Sequence, residues 1–231
     1  RHAVVIGLLF VIAMMVIFRV AANIPLPGID LVALRSFFEA NQLLGLLNVF
    51  SGGTMSNFSI VALGVGPYIT ASIVFQLLAM IVPRIEEIQK EGESGQKRIS
   101  QWTRLLTVPL SVVQSLALLS IMRNSSFPIL TTQEPLYIMM LIACVTAGTM
   151  FLVWLGELIT ERKVGNGISL LIFAGIVSGL PSTVSRFFAT YDSSQWMTVV
   201  LYAAAAIAMV AGIVFVSEGQ RNVPVQYARQ S

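Results

Sequence analysis

Charge is scarce in this sequence of 231 residues, which contains 14 basic and 11 acidic side chains, 11% of the total. A soluble domain carries roughly 25% charged residues. Hydrophobic residues make up 56% of the chain, and the mean hydropathy is +0.82. These values exclude a disordered chain and most soluble folds. The net charge of +3 is too small to argue for nucleic-acid binding.

Cysteine and histidine are almost missing, since the chain has one of each, Cys144 and His2. A single cysteine cannot form an intramolecular disulfide, which excludes a secreted disulfide scaffold. One histidine and one cysteine also leave no Cys/His cluster for a metal ion. We therefore expect neither a metal nor a cofactor.

The groups that membrane enzymes need are missing as well. The only aspartates, Asp30 and Asp192, lie in predicted loops, and His2 is too close to the terminus for a buried Ser–His pair. The chain has no His-Glu-x-x-His zinc motif and no phosphate-binding loop. Glu157 is the ionisable residue near a span, at its cytoplasmic end, whereas ion-coupled transporters usually carry such residues within their spans. The sequence predicts that the protein is not an enzyme and that any energy source comes from a partner.

The few charges separate long neutral stretches, five of which fit one membrane-spanning helix of about 20 residues each. Helices are expected because the backbone must satisfy its own hydrogen bonds inside lipid, and the strict alternation of a membrane β-barrel is missing. The first apolar run is long for a signal peptide, so we assign it to the first span. The neutral stretches are 2–18, 40–83, 105–122, 135–156, 164–185 and 193–217.

The stretch 40–83 is too long for one helix, and its two halves differ in composition. Residues 40–59 are rich in Asn, Ser, Thr and Gly, whereas residues 60–83 are apolar enough to span, with Pro67 bending or starting the helix. Irregular backbone persists at membrane depth only where protein or a water-filled cavity surrounds it. We therefore predict a short re-entrant element followed by one full span.

A model with six spans and a cytoplasmic N-terminus obeys the positive-inside rule, with ten Lys and Arg residues inside and four outside. A model with seven spans and the opposite orientation has eleven Lys and Arg residues inside and three outside. The distribution of basic residues alone therefore does not decide between the two models. The polarity of 40–59 favours six, because that segment would otherwise have to span. The six predicted spans are 3–22, 62–83, 104–122, 136–158, 167–185 and 197–217.

Motifs along nearly the whole chain carry a family resemblance. They are Ile24–Asp30, Phe50–Gly53, Phe58–Ile60, Leu63–Ile69, Glu91–Gln96, Arg98–Gln101, Leu155–Glu157, Ile159–Arg162, Gly165–Ser169, Phe173–Val177, Gly179–Pro181, Gly219–Arg221 and Val225–Ala228. In this order they resemble the SecY family, the central subunits of protein-translocation channels.

The resemblance implies an all-α polytopic membrane fold in which ten spans form two pseudo-symmetric halves around a pore. This chain resembles the first six spans, with 1–185 as the N-terminal half and 186–231 as the start of the C-terminal half. We expect the natural protein to continue beyond Ser231. The implied function is translocation of unfolded secretory polypeptides and lateral release of membrane segments. The alternative is a secondary transporter or small-solute channel with broken helices.

The resemblance gives the polar element a role as the plug, a re-entrant helix of about 44–60 that seals the pore from outside. The small, weakly polar side chains suit a wet cavity that they can leave at little desolvation cost. Composition alone fits an ordinary extracytoplasmic loop equally well. The plug residues are Phe50, Ser51, Gly52, Gly53, Thr54, Met55, Ser56 and Asn57.

The resemblance also assigns a pore ring and a lateral gate. An aliphatic ring can gate by dewetting and flex around any passing chain, although the same spacing is typical of plain helix packing. Ser72 and Gln76 match the polar cluster of the gate, and an interhelical hydrogen bond is the alternative. The ring positions are Val65, Ile69, Ile168 and Ile172, two pairs spaced four apart on their helices.

The implied partners bind mainly at the cytoplasmic face. The loop after the sixth span, which begins with Arg221 and Arg229, is expected to dock the SecA motor or the ribosome, with ribosomal RNA contacts that weaken with salt. The small subunits SecE and SecG, signal peptides, nascent polypeptides and the lipid bilayer complete the set. Asn222 and Gln230 stand where the family has basic residues, and Lys163 stands where it generally has Gly. The motifs favour a bacterial inner membrane over a thylakoid.

Overall fold

The structure, a computed structural model, describes residues 2–41, 48, 53–132, 134–190 and 196–219. In these ranges the chain is helical, and its β-structure consists of two isolated bridges, Pro25–Ser59 and Ile29–Leu130. The all-α polytopic fold is thereby confirmed. The helices are α1 (His2–Ala22), α2 (Leu31–Ala40), α3 (Gly66–Ile81), α4 (Pro83–Lys90), α5 (Glu93–Arg123), α6 (Pro135–Glu161), α7 (Gly167–Thr190) and α8 (Trp196–Ser217).

Four helices in the described ranges are long and apolar enough to cross a membrane, namely α1, α5, α6 and α8. The pair α3 and α4 is a fifth candidate of broken form, because the two axes differ by 107°. In α7 the apolar part, Gly167–Pro181, is shorter. Each of the six predicted spans thus contains a helix, and α3 and the apolar part of α7 are shorter than a straight crossing requires.

The second predicted span differs most from expectation, since its helix begins at Gly66 and not near residue 62. Residues 61–65 form successive turns, Gly64 adopts a φ of +57°, and Pro67 then starts the helix near its first position. The helix stops before Pro83, which has no N–H to continue it. Sixteen residues span about 24 Å, less than the roughly 30 Å of hydrocarbon.

Residues up to Pro181 form one compact unit, which contains two buried apolar clusters. The Phe58 cluster joins α2 and the loop before it to the end of α5 and the start of α6. The Val65 cluster joins α1 and the turns before α3 to the end of α6 and the start of α7. The Phe58 cluster consists of Leu26, Leu34, Phe37, Phe38, Phe58, Ala62, Leu63, Leu118, Leu119, Met122, Ile129, Leu141 and Val145. The Val65 cluster consists of Val11, Phe18, Ala21, Ala22, Val61, Val65, Leu152, Leu155, Ile159 and Leu171.

Residues from Ser182 onward form the second unit. Its helix α8 is apolar throughout, and no residue of its spanning window, Val199–Ser217, is buried within the chain. Large aliphatic and aromatic side chains are exposed around the helix, including Leu201, Ile207 and Phe215. A helix that is apolar on every face is typical of a span surrounded by lipid or by other helices.

Candidate functional site

The predicted plug is described from Gly53 onward, while 50–52 lie outside the described residues. Thr54 is completely buried, and its hydroxyl donates a hydrogen bond to the Ala62 carbonyl oxygen at 3.3 Å. The Thr54 carbonyl accepts the Ser59 N–H at 3.1 Å. These contacts fasten Thr54 to the turns that lead into α3.

Backbone hydrogen bonds fasten the next residues to the loop after α1. The Leu26 N–H donates to the Phe58 carbonyl at 3.0 Å, and the Ile60 N–H donates to the Ile24 carbonyl at 3.1 Å. The Phe58 side chain is 1% exposed, and its φ is +38°. Sequence analysis placed Phe58 in a motif within a stretch rich in small polar residues and did not predict its burial. The signal was available, because a large aromatic in a stretch of small polar residues, such as Phe58 here, is a candidate anchor.

Asn57 connects this segment to α2. Its side-chain oxygen accepts a hydrogen bond from the Arg35 guanidinium at 3.4 Å. Asp30, placed in a loop by the sequence, is the N-cap of α2, and its carboxylate accepts the N–H groups of Val32 and Ala33 at 2.8 and 3.1 Å. The cap fixes where α2 begins and hence where Arg35 lies.

Three of the four predicted ring residues meet in the Val65 cluster. Val65 is buried within it, and Ile168 and Ile172 pack against it half-buried. Ile69 lies outside the cluster on the first turns of α3, and 37% of its surface is exposed. Two segments far apart in sequence, the turns before α3 and the start of α7, therefore bring aliphatic side chains together.

The start of α7 is held against the end of α6 by direct backbone contact. A side chain at Gly167 would overlap the Gly156 carbonyl oxygen, and a side chain at Gly156 would overlap Ile168. The Thr160 hydroxyl donates to the Gly156 carbonyl at 2.8 Å and accepts the Gly167 N–H at 2.9 Å. The side chain of Asn166 accepts the Ser169 N–H at 3.2 Å. Sequence analysis matched these glycines to a motif without finding their packing role.

The predicted gate residues lie one turn apart on α3. Gln76 is exposed, and its side-chain nitrogen donates to the Ser72 hydroxyl at 3.3 Å. The same stretch exposes the apolar side chains of Ile73 and Leu77. The structure thus pairs the two residues with each other along one helix.

An ion pair joins α5 to α6 near the end of the predicted fourth span. Arg104 donates a hydrogen bond to Glu157, whose side chain is 21% exposed. The one carboxylate that the sequence places near a span is therefore neutralised by a partner. Within α4, the side chain of Lys90 donates a hydrogen bond to Glu86 at 2.6 Å.

Lys163 adopts a φ of +56° directly after the last turn of α6. Its N–H donates to the Thr160 carbonyl at 3.0 Å. Glycine is the usual residue at a left-handed position that ends a helix. The structure thus gives a physical reason for the glycine that the resemblance leads one to expect here.

The predicted docking residues Arg221 and Arg229 lie outside the described residues. In the part of the chain that the structure describes, no group of three or more His, Cys, Asp or Glu side chains could hold a metal ion. The described residues around the predicted ring and gate offer packing, hydrogen bonding and the ion pair between Arg104 and Glu157.

Comparison with known proteins assigns the chain to a family. The family model SecY matches residues 59–231. The chain is 43% identical to protein translocase subunit SecY of Escherichia coli K12 and 42% identical to that of Halalkalibacterium halodurans. It is 37% identical to that of Mycobacterium tuberculosis H37Rv. Each match covers 96% of this chain and 52 or 53% of the relative, so the chain spans about half the length of these relatives. The helices, the broken second span and these matches together show that this multi-pass membrane chain belongs to the SecY family of protein translocase subunits.

Proposed function

We propose that the full-length protein is the channel subunit that conducts unfolded secretory polypeptides across a membrane and releases membrane segments sideways into it. The observation that carries this proposal is that Val65 lies in one apolar cluster, with Ile168 and Ile172 packed against it, beside a short, broken second span. Family membership supports the same function. No observation among the described residues favours the transporter alternative, and Glu157, at the cytoplasmic end of the predicted fourth span, is paired with Arg104.

The ring of Val65, Ile69, Ile168 and Ile172 is proposed as the constriction of the channel. Aliphatic side chains exclude water from a narrow pore and so hold back ions when the channel is idle. They also form no specific contact with a passing chain, which suits diverse substrates. The half-burial of Ile168 and Ile172 and the exposure of Ile69 fit side chains whose remaining surface faces a pore.

Residues 50–57 are proposed as the plug and Ser72 with Gln76 as part of the lateral gate. The hydrogen bonds of Thr54 and the burial of Phe58 support a segment that is seated against the protein. The exposure of Gln76 supports a polar contact with a helix from the remaining half of the channel.

The N-terminus is proposed to be cytoplasmic, in a bacterial inner membrane. The Arg162 guanidinium lies 4.4 Å from the centre of the Phe10 ring, and Val164 lies next to Gly7. The N-terminal half of α1 therefore lies at the same end of the first unit as the basic turn after α6. The positive-inside rule favours a cytoplasmic location for that end.

The proposed partners are SecE and SecG in the membrane and the SecA motor or the ribosome at the cytoplasmic face. Arg221 and Arg229 are proposed docking residues, which could also contact ribosomal RNA. Family membership supports assembly into a protein-translocation complex.

Site-specific crosslinking of a stalled secretory chain tests the channel. Photoreactive residues at positions 65, 69 and 168 of the full-length protein should crosslink to an engaged chain. A probe at Ile12, whose side chain is exposed on α1, is the control and should not crosslink. An engaged chain that crosslinks at Ile12 as strongly as at the ring positions would refute the proposal.

A further inference from the structure

We propose that Thr160 is a positioning residue of the pore ring, which fixes the start of α7 and thereby Ile168 and Ile172. This inference rests on the proposed function of the ring. It adds a residue that does not face the constriction itself but acts through the residues that do.

The hydroxyl of Thr160 connects two helices through two hydrogen bonds. It donates to the Gly156 carbonyl in its own helix, at 2.8 Å, and accepts the N–H of Gly167, the first residue of α7, at 2.9 Å. The first N–H groups of a helix have no acceptor within that helix. Thr160 therefore supplies, from α6, an acceptor that α7 cannot supply itself.

Few other side chains could take over this role, because the two helices meet backbone to backbone. Gly156 and Gly167 leave no space for a Cβ between them. The side-chain cap at Asn166 binds a different donor, the N–H of Ser169. Without the Thr160 hydroxyl, the Gly167 N–H loses the hydrogen-bond acceptor that the structure gives it.

A displacement of Gly167 is transmitted directly to the ring. Ile168 follows Gly167 in the chain, and its side chain lies over Gly156. Ile172 lies one turn further along the same helix face. Both residues pack against the Val65 cluster, so loosening of the first turn of α7 would open gaps at the constriction.

The test uses the full-length channel with its partner subunits, reconstituted in lipid vesicles. Thr160→Val removes the hydroxyl at constant shape, Thr160→Ala is a second variant in case the first folds poorly, and Thr160→Ser should restore the bonds. Thr107→Val is the control, because among the described residues the Thr107 hydroxyl bonds within its own helix, to the Thr103 carbonyl at 2.7 Å. The two measurements are hydrogen exchange at the Gly167 amide and the ion leak of the idle channel.

Thr160→Val should make the Gly167 amide exchange about fivefold faster, because a net hydrogen bond contributes about that factor. The leak should rise several-fold in Thr160→Val and Thr160→Ala and stay at the parent level in Thr160→Ser and Thr107→Val. An unchanged hydrogen-exchange rate at the Gly167 amide of Thr160→Val would overturn the proposal. A Thr107→Val channel that leaks as much as Thr160→Val would also overturn it.

A parallel variant separates this proposal from the ring itself. If Ile168→Asp leaks and Thr160→Val does not, Thr160 has no positioning role while the ring stands. If Ile168→Asp is as tight as the parent channel, the ring assignment fails, and the role of Thr160 fails with it.

Discussion

Replacing Gly148 by alanine should destabilise the protein, although alanine is the better helix former. Gly148 lies inside α6, where its Cα faces the turn at Ile60 and Val61. A Cβ built there would overlap the Ile60 carbonyl oxygen and lie 2.7 Å from its carbonyl carbon, about 0.7 Å inside ordinary van der Waals contact. The obstacle is backbone, so no side-chain rotation relieves it.

The cost follows from the packing of the Phe58 and Val65 clusters on both sides of this contact. Overpacking a well-packed interior typically costs 1–3 kcal/mol, against a gain of about 0.5–1 kcal/mol from the higher helix propensity of alanine. The net loss should therefore be about 1–2 kcal/mol. The displaced turn leads directly into Val65, so the idle channel should also leak more ions.

Gly212→Ala is the matched control, because Gly212 lies inside α8 with open space around its Cα. It should leave stability unchanged or raise it by up to about 1 kcal/mol. The assay is the thermal unfolding midpoint of the full-length protein in detergent, followed by ion-leak measurements in vesicles. Equal midpoints for Gly148→Ala and Gly212→Ala would refute the reasoning, since the close contact would then carry no energy.

Four further predictions concern separate parts of the chain. Lys163→Gly should stabilise the protein by about 1 kcal/mol, because it relieves a left-handed backbone, and a lower unfolding midpoint would contradict this. Ile168→Asp should wet the constriction and raise idle ion conductance, so that a tight, dry variant would contradict the pore ring. Deletion of 50–57 should leave the idle channel leaky, and an unchanged leak would count against the plug. A double-mutant cycle on Arg104 and Glu157 should give a coupling of about 1 kcal/mol or less, because Arg104 is 45% exposed on its side chain.

The sequence predicted the helical membrane fold because its signal is local. Apolar stretches of about 20 residues, bounded by charges, predict spans whatever packs against them. The bounds of α6 and α8 accordingly lie within three residues of those predicted. The start of α3 was missed by four residues, because local turns with Gly64 at a positive φ occupy 61–65 and the helix begins only beside Pro67, one of the two roles that the sequence allowed for that proline.

The residues of the candidate site were predicted from a family resemblance and not, like the spans, from local hydropathy. The ring residues came from a family resemblance, since four-residue spacing in an apolar helix cannot distinguish a pore from a packed interface. The tertiary structure brought Val65 together with Ile168 and Ile172 and left Ile69 outside their cluster. The burial of Thr54 and Phe58 and their hydrogen bonds to neighbouring segments were not predicted from composition.

By itself, the sequence determined that the protein is a polytopic helical membrane protein with charges between its spans, because hydropathy and charge act residue by residue. Only the tertiary structure decided which residues meet. The overlap that excludes a Cβ at Gly148 and the bond from Gly167 to Thr160 depend on distances of a few ångströms between separate segments. Such distances are set by the packing of whole helices, which no local pattern encodes.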